Sequence, residues 1–397
     1  MTSETGISKT LEGLTAPAQR ILFGSPGTGK SHKVHRTYLK NIDADNIIKT
    51  VFHPEYKYGD FMGRLIPLSD NAGKVRYEYQ AGHFLKALAK AYVNLLDSEN
   101  TENTKDVVLV IDELNRGNSA AIFGTIFQLL DREDDGWSSY DLNLSAIERD
   151  ALLKEMRVQV DYDNVEDGKP LYKYLEGKFE GIKPTKDSTE ILVLNGKIKL
   201  PPKLSILATM NTSDESIYYM DSAFKRRWDW EYIPVNHNAD NADNADNATE
   251  WSNWKGFIDN LNAFLKTEGK GIRKIEDKLI GYHFIKAPYS IEEFSDADAN
   301  ADANANANAN ANANANANAN ANADADAKAN ADAKAIFKNN LESKLMFFLW
   351  DSVFSNDKKP LIELLVGADT SIELITFGDF TAKTTEFVKA VNSYDEK

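Results

Sequence analysis

One segment constrains this chain more than any other. Gly24-Ser25-Pro26-Gly27-Thr28-Gly29-Lys30-Ser31 fits the pattern G-x-x-x-x-G-K-[ST] in full, between an apolar run at 20–24 and a stretch of helical character from 30 to about 40. A strand, a glycine-rich loop and a helix in that order form a phosphate-binding loop. The glycines let successive backbone N–H groups converge on one concavity, and the helix start adds its positive end. Lys30 then reaches the β and γ phosphates, and Ser31 offers a hydroxyl to Mg²⁺. At average residue frequencies the four fixed positions match by chance about once in a hundred chains of this length.

The rest of the chain is read against that unit. Apolar runs recur at 47–52, 107–111, 204–209 and 231–235, mostly continuous rather than alternating, as strands covered on both faces are. Helical patterns at 82–96 and 119–130 fall between them. The expected fold is α/β: a P-loop NTPase parallel sheet flanked by helices, with a smaller helical lid domain. The expected domains are an N-terminal tail over 1–19, an α/β nucleotide-binding domain over 20–236 and a helical lid over 249–397. Within the first, 131–200 reads as an insertion of helix and hairpin character. Two low-complexity tracts interrupt the pattern, an Asn-Ala-Asp repeat within the 237–248 loop and an Ala-X alternation at 296–335. Neither offers an apolar stripe whose burial offsets its ordering entropy, so disorder is expected for both.

Composition removes several classes. The formal charge is -15, but nine aspartates against two lysines in the two tracts supply nearly half of it. The mildly acidic remainder does not suit a chain that grips nucleic acid over its whole surface, where affinity comes from Lys and Arg displacing counterions. No apolar run is long enough to span a bilayer and 1–13 lacks the pattern of a secretory signal, so no membrane contact and a cytoplasmic location are expected. With no cysteine there is neither a disulfide framework nor a thiol nucleophile. His32, His35, His53, His83, His237 and His283 show no metal-ligand spacing and read as structural or surface residues.

Two further strand ends carry chemistry. The run ending in Ile111-Asp112-Glu113 delivers two carboxylates to the C-terminal edge of the sheet, where open α/β folds bind ligands. Asp112 is expected in the magnesium shell, and Glu113 to orient and polarise an attacking water. The run through Thr209-Met210-Asn211 brings an amide to the same edge, to hold that water or the γ phosphate. Lys225-Arg226-Arg227-Trp228 reads equally as a charged helix end beside an aromatic core residue and as an arginine finger reaching a neighbour's γ phosphate.

Together these elements resemble the AAA+ superfamily, and more closely its McrB branch, the NTPase subunits of modification-dependent restriction systems. The resemblance rests on Gly24 to Ser31, on Ile111-Asp-Glu-Leu-Asn-Arg-Gly-Asn118, on Met210-Asn-Thr-Ser-Asp214 and on Asp221 to Trp228. It also draws on Phe52 to Phe61, Tyr79 to Phe84, and lid pieces at Asp277 to Phe284 and Leu345 to Phe354. It implies a hexameric homo-oligomeric ring driven by GTP or ATP with Mg²⁺. Asn211 and Asp214 would organise the hydrolytic water, and Arg226 and Arg227 would act across the subunit interface. A McrC-like nuclease subunit would cap the ring and cut DNA. Two departures stand out: Glu215 occupies a position where the branch often has Arg, and about 20 residues precede the first strand, so DNA reading is expected on a partner. The alternatives are a MoxR-like remodelling ATPase and a nucleotide-gated scaffold with little turnover. The intact Asp112-Glu113 pair speaks against the scaffold, and Met210 to Asp214 against MoxR-like remodelling.

Overall fold

The structure is a computed structural model of the 397-residue chain. It describes residues 17–69, 73–97, 104–166, 169–174, 196–212, 218–235, 248–269, 275–285, 332–366 and 373–394. Its strands in chain order are β1 Gln19–Gly24, β2 Ile47–Val51, β3 Gly63–Ser69, β4 Val75–Ala81, β5 Val107–Asp112, β6 Leu142–Asn143, β7 Val158–Glu166, β8 Lys169–Tyr174, β9 Lys197–Ile198, β10 Leu204–Asn211 and β11 Asp229–Tyr232. Contacts divide the chain into two units. One comprises Met1–Phe23 with Lys30–Tyr232, the other Gly24–Gly29 with Ile233–Lys397.

The first unit is built on a parallel sheet in the order β11-β1-β10-β5-β2. Its central strands are apolar in consecutive positions because both faces are covered. Val107 to Ile111 and Leu204 to Ala208 are buried throughout, and so are Ile21 and Leu22, which point to opposite faces. Each such Leu or Ile contributes about 1.5–3 kcal/mol by leaving water. The helix His83–Asp97 covers one face with Phe84, Leu85, Leu88, Ala91 and Tyr92, at the spacing of a single helical stripe. Gly82 permits its entry, because a Cβ there would lie 2.3 Å from the Phe61 carbonyl oxygen.

Several boundaries differ from the sequence expectation for identifiable reasons. The stretch 119–130 is two elements: an α-helix Ser119–Phe123 ends where Gly124 takes φ +47°, and a tighter 3₁₀ run Gly124–Leu130 follows. The helix from Lys30 keeps α geometry only to Lys33, and wider turns over Val34–Tyr38 complete it. The last strand stops at Tyr232, ahead of Pro234, which has no N–H for a ladder. The antiparallel hairpin β3–β4 was not expected, since Pro67 interrupts the strand pattern of its first arm. Within 131–200 lie the helix Ala146–Glu155, opened by a Ser145/Glu148 capping box, the hairpin β7–β8 and the short pair β6–β9.

The second unit is helical around its own core. Trp254, Phe257 and Phe264 of the helix Ala248–Glu268 pack with Leu341, Leu345, Leu349, Phe380 and Phe387. Trp254 donates its indole N–H to the Tyr282 carbonyl at 2.7 Å. The expectation of disorder over 296–335 needs correction at its end, because 332–335 begin a helix running to 340. Ala333, Lys334 and Ala335 are good helix formers and lead directly into the apolar stripe of Phe337 and Leu341. The rest of that tract lies outside the described residues. The expected domain boundary also shifts: Gly24–Gly29 group with the helical unit rather than with the sheet.

Candidate functional site

In the sheet unit, β5 and β10 run parallel with Ala208 opposite Ile111, which carries Thr209 to Asp112 and Asn211 past it. Thr209 donates its hydroxyl to Asp112 Oδ1 at 2.8 Å, and Asn211 donates Nδ2 to Glu113 Oε1 at 3.1 Å. Asp112, Glu113 and Asn211 therefore meet at one sheet edge, as their strand positions led one to expect. Glu113 adopts φ +57°, a left-handed conformation that costs a non-glycine residue about 1 kcal/mol or more. It turns the chain at the strand end and presents the carboxylate to Asn211.

Three supporting residues escaped the sequence reading of the site. Thr209 is one. Asn115, fully buried, donates Nδ2 to the Asn211 carbonyl at 2.6 Å and so anchors the end of β10. Arg116 brings Nε to 3.5 Å from Glu113 Oε2. A signal for Thr209 existed: residues 209 and 211 point to the same face of a strand, so the hydroxyl had to face the carboxylate edge with Asn211.

The phosphate-loop sequence has its own anchors in the helical unit. Gly27 and Gly29 take φ +76° and +84°. Thr28 donates to the Ser25 carbonyl at 3.1 Å and Ser25 to the Glu276 carbonyl at 2.8 Å. The backbone N–H groups of Gly281 and His283 donate to the carbonyls of Pro26 and Gly27 at 3.0 and 2.9 Å. A Cβ on Gly281 would sit 2.3 Å from the Gly27 carbonyl carbon, so only glycine permits this contact. Gly24 ends β1, and in the sheet unit Lys30 and Ser31 open the helix that follows the loop, Lys30 buried and Ser31 exposed.

The donors fit Mg²⁺. Ser31 and Asp112 supply a hydroxyl and a carboxylate, hard oxygen ligands, and Asp112 accepts the Thr209 hydrogen bond as a carboxylate does. Among the described residues no cluster of three or more His, Cys, Asp or Glu could hold a metal alone.

The two arginines part company. Arg227 is 9% exposed at its side chain, bonded to Asp131 Oδ2 at 2.6 Å and to the Ala223 carbonyl at 2.9 Å, and it lies 4.0 Å from the Phe127 ring centroid. Arg226 is exposed. Both precede β11, and Gln19 at the start of β1 donates to the Arg227 carbonyl. They therefore sit at the N-terminal edge of the sheet, whereas Asp112, Glu113 and Asn211 sit at the C-terminal edge. Strands of this length separate the two edges by about 17–20 Å. Asp214 and Glu215 lie outside the described residues.

Among the described residues no helix is long and apolar enough to cross a membrane. The family model for the AAA domain, dynein-related subfamily, matches residues 19–228. The Type II restriction enzyme BsuMI component YdiS of Bacillus subtilis (strain 168) is 30% identical over 300 residues, 68% of this chain and 73% of that protein. The Type IV methyl-directed restriction enzyme EcoKMcrB subunit of Escherichia coli (strain K12) is 25% identical over 286 residues, 71% of this chain and 49% of that protein. The match thus spans about half the length of the second relative. A solved structure from Cytophaga hutchinsonii aligns at 16% identity over 64% of this chain and 62% of its own, with a TM-score of 0.24 that carries no weight for the fold. The family match takes in the loop, the Asp112-Glu113 strand and the Asn211 strand alike, and the chain belongs to the AAA domain family, in its dynein-related subfamily.

Proposed function

We propose that this chain is the nucleotide-hydrolysing motor subunit, using GTP or ATP, of a McrBC-like restriction complex that acts on DNA through a partner nuclease. The observation that carries the hydrolytic part is the 3.1 Å hydrogen bond from Asn211 to Glu113, beside an Asp112 oriented by Thr209. The restriction part is supported by two relatives whose names are those of restriction-enzyme components.

In this reading the backbone N–H groups of the loop 24–29, among which Pro26 has none to offer, hold the phosphates, and Lys30 neutralises charge on the β and γ groups. Mg²⁺, held by Ser31 and Asp112, supplies further neutralisation when bound. Glu113 orients and polarises the attacking water, with Asn211 fixing the carboxylate and, through its amide, the water. Asp214 is proposed to assist. Of the two arginines, Arg226 is the one proposed to reach a neighbouring copy's phosphate, because it is exposed and a sheet's length from its own carboxylates. Arg227 holds its own subunit together. The assembly is a homo-oligomeric ring, proposed as a hexamer, in the cytoplasm, with a McrC-like nuclease as partner.

The test measures GTP and ATP turnover with Mg²⁺, with and without the purified partner nuclease. Glu113→Gln is expected to bind nucleotide and stop turning it over, and Lys30→Ala to lose binding. A Glu113→Gln variant as fast as wild type in the presence of the partner would remove the role given to that carboxylate.

A further inference from the structure

The strand β10 runs on past its pairing with β5. The last pair is Ala208 opposite Ile111, so Asn211 stands three residues beyond the register that ties β10 to the strand bearing Asp112. Yet Asn211 is the residue whose amide must meet Glu113. Asn115 spans that gap. Its side chain donates Nδ2 to the Asn211 carbonyl at 2.6 Å, and its main-chain carbonyl accepts the Tyr218 N–H at 2.8 Å. One residue, two positions after Glu113, thus grips the chain at Asn211 and again at Tyr218.

The bonds close a circuit. Asn115 holds Asn211, Asn211 donates to Glu113, and the main chain returns from Glu113 to Asn115 through the turn Leu114–Arg116. That turn has anchors of its own. Leu114 is fully buried, its carbonyl accepts the Ser119 hydroxyl at 2.5 Å, and the Arg116 N–H donates to the Glu113 carbonyl at 2.9 Å. Packing does not account for an amide at 115 either. Asn115 is fully buried and its Oδ1 meets no donor among the described residues, a cost that an apolar residue of similar size avoids. The bond to Asn211 is what the amide supplies and an apolar residue does not.

We propose that Asn115 is a positioning residue for hydrolysis, which sets the Asn211 main chain relative to Glu113 so that amide and carboxylate face one water together. The proposal rests on the hydrolytic reading above. Being fully buried, Asn115 meets neither the water nor the nucleotide itself. A reacting pair displaced by a fraction of an ångström loses turnover steeply, while phosphate contacts made elsewhere on the chain are untouched. Asn115 therefore acts on rate rather than on affinity, and only through Asn211.

Turnover of ATP or GTP by the full chain, with Mg²⁺ and the partner nuclease, is measured beside affinity for a fluorescent nucleotide analogue. The proteins compared are wild type, Asn115→Leu, Asn211→Ala and the double variant. Leucine matches the buried volume and lacks the donor. Asn115→Leu is expected to lower kcat about tenfold and to leave nucleotide affinity within about twofold of wild type. The double variant is expected to be no slower than Asn211→Ala alone, because a residue that acts through Asn211 then has nothing left to position. Should Asn115→Leu fail to fold, Asn115→Ala, smaller and equally without a donor, takes its place. Asn115→Leu at the wild-type rate beside a slowed Asn211→Ala overturns the positioning role and leaves the hydrolytic reading standing. A double variant slower than Asn211→Ala by the full effect of Asn115→Leu does the same, as does a loss of affinity that matches the loss of kcat. Asn211→Ala at the wild-type rate overturns both the part given to Asn211 and this proposal.

Discussion

The two edges of the central sheet use polar side chains in opposite ways. At the N-terminal edge Arg132 and Arg227 are held by their own subunit, while Arg226 is exposed. Arg132 donates to Gln19 Oε1 and to the carbonyls of Gly136, Pro201 and Leu204, and Arg227 is bonded to Asp131 and Ala223 and stacked on Phe127. At the C-terminal edge the hydrogen bonds run among the chemical groups themselves, Thr209 to Asp112 and Asn211 to Glu113, at a strand end that closes in a strained turn. The first arrangement binds a sheet edge to the loops below it. The second orients carboxylates while keeping them half-exposed, as a site that handles water and phosphate requires.

The strongest way to break that comparison is Glu113→Gln. The substitution keeps the shape and removes the charge, so turnover is expected to fall by about 100-fold or more while nucleotide affinity changes by less than about twofold. Rapid-quench hydrolysis and equilibrium binding on one preparation separate the two. A matching loss of affinity would mean that Glu113 serves to bind nucleotide rather than to activate water.

The adjacent arginines sharpen it next. Arg227→Ala removes a nearly buried guanidinium and leaves Asp131 without it, so a loss of about 3 kcal/mol is expected in denaturant unfolding. Arg226→Ala is expected to stay within about 0.5 kcal/mol of wild type and to lower turnover only in the assembled protein. Equal stability losses would erase the division between a structural and a reaching arginine.

How much of this was legible follows from which contacts are local. The phosphate loop and the buried strands stood out because their signals, glycine spacing and continuous apolar runs, lie within a few residues. That Asp112, Glu113 and Asn211 lie together was readable because strand ends of a parallel sheet share an edge. The difference between Arg226 and Arg227 was not legible: they are neighbours of one residue type, and what separates them is Asp131, 96 positions away. The Thr209–Asp112 bond spans 97 positions and depends on strand register, so only the face of Thr209 was readable. The clamp of Gly281 and His283 on the loop backbone carries no side-chain signature except a glycine.

Thr209 supports a smaller effect. Thr209→Val keeps the volume and removes the donor, which costs about 1 kcal/mol of orientation at Asp112. The Mg²⁺ concentration for half-maximal nucleotide binding is expected to rise about fivefold, with Thr209→Ser restoring it. Mn²⁺ paramagnetic resonance in the presence of nucleotide reads the same shift without turnover. An unchanged Mg²⁺ dependence would reduce Thr209 to a packing residue.

The smallest effect belongs to a cluster between the two edges. Burial pushes the Glu231 carboxyl up, but hydrogen bonds from Lys33 and Tyr38 and the charges of Lys33 and Arg20 outweigh it, leaving it below its ordinary 4.5. A carboxyl depressed in the folded state contributes stability that is fully present above the ordinary value and disappears as pH falls through the lower folded one. Glu231→Gln is therefore expected to lower stability slightly at pH 7 and to flatten the acid side of the stability profile below about pH 4.5. The group is partly solvent-screened, so the difference is modest and best read from midpoints of chemical unfolding at several pH values. Parallel acid limbs for wild type and Glu231→Gln would mean that Lys33, Arg20 and Tyr38 hold β11 to β1 without drawing on the charge of Glu231.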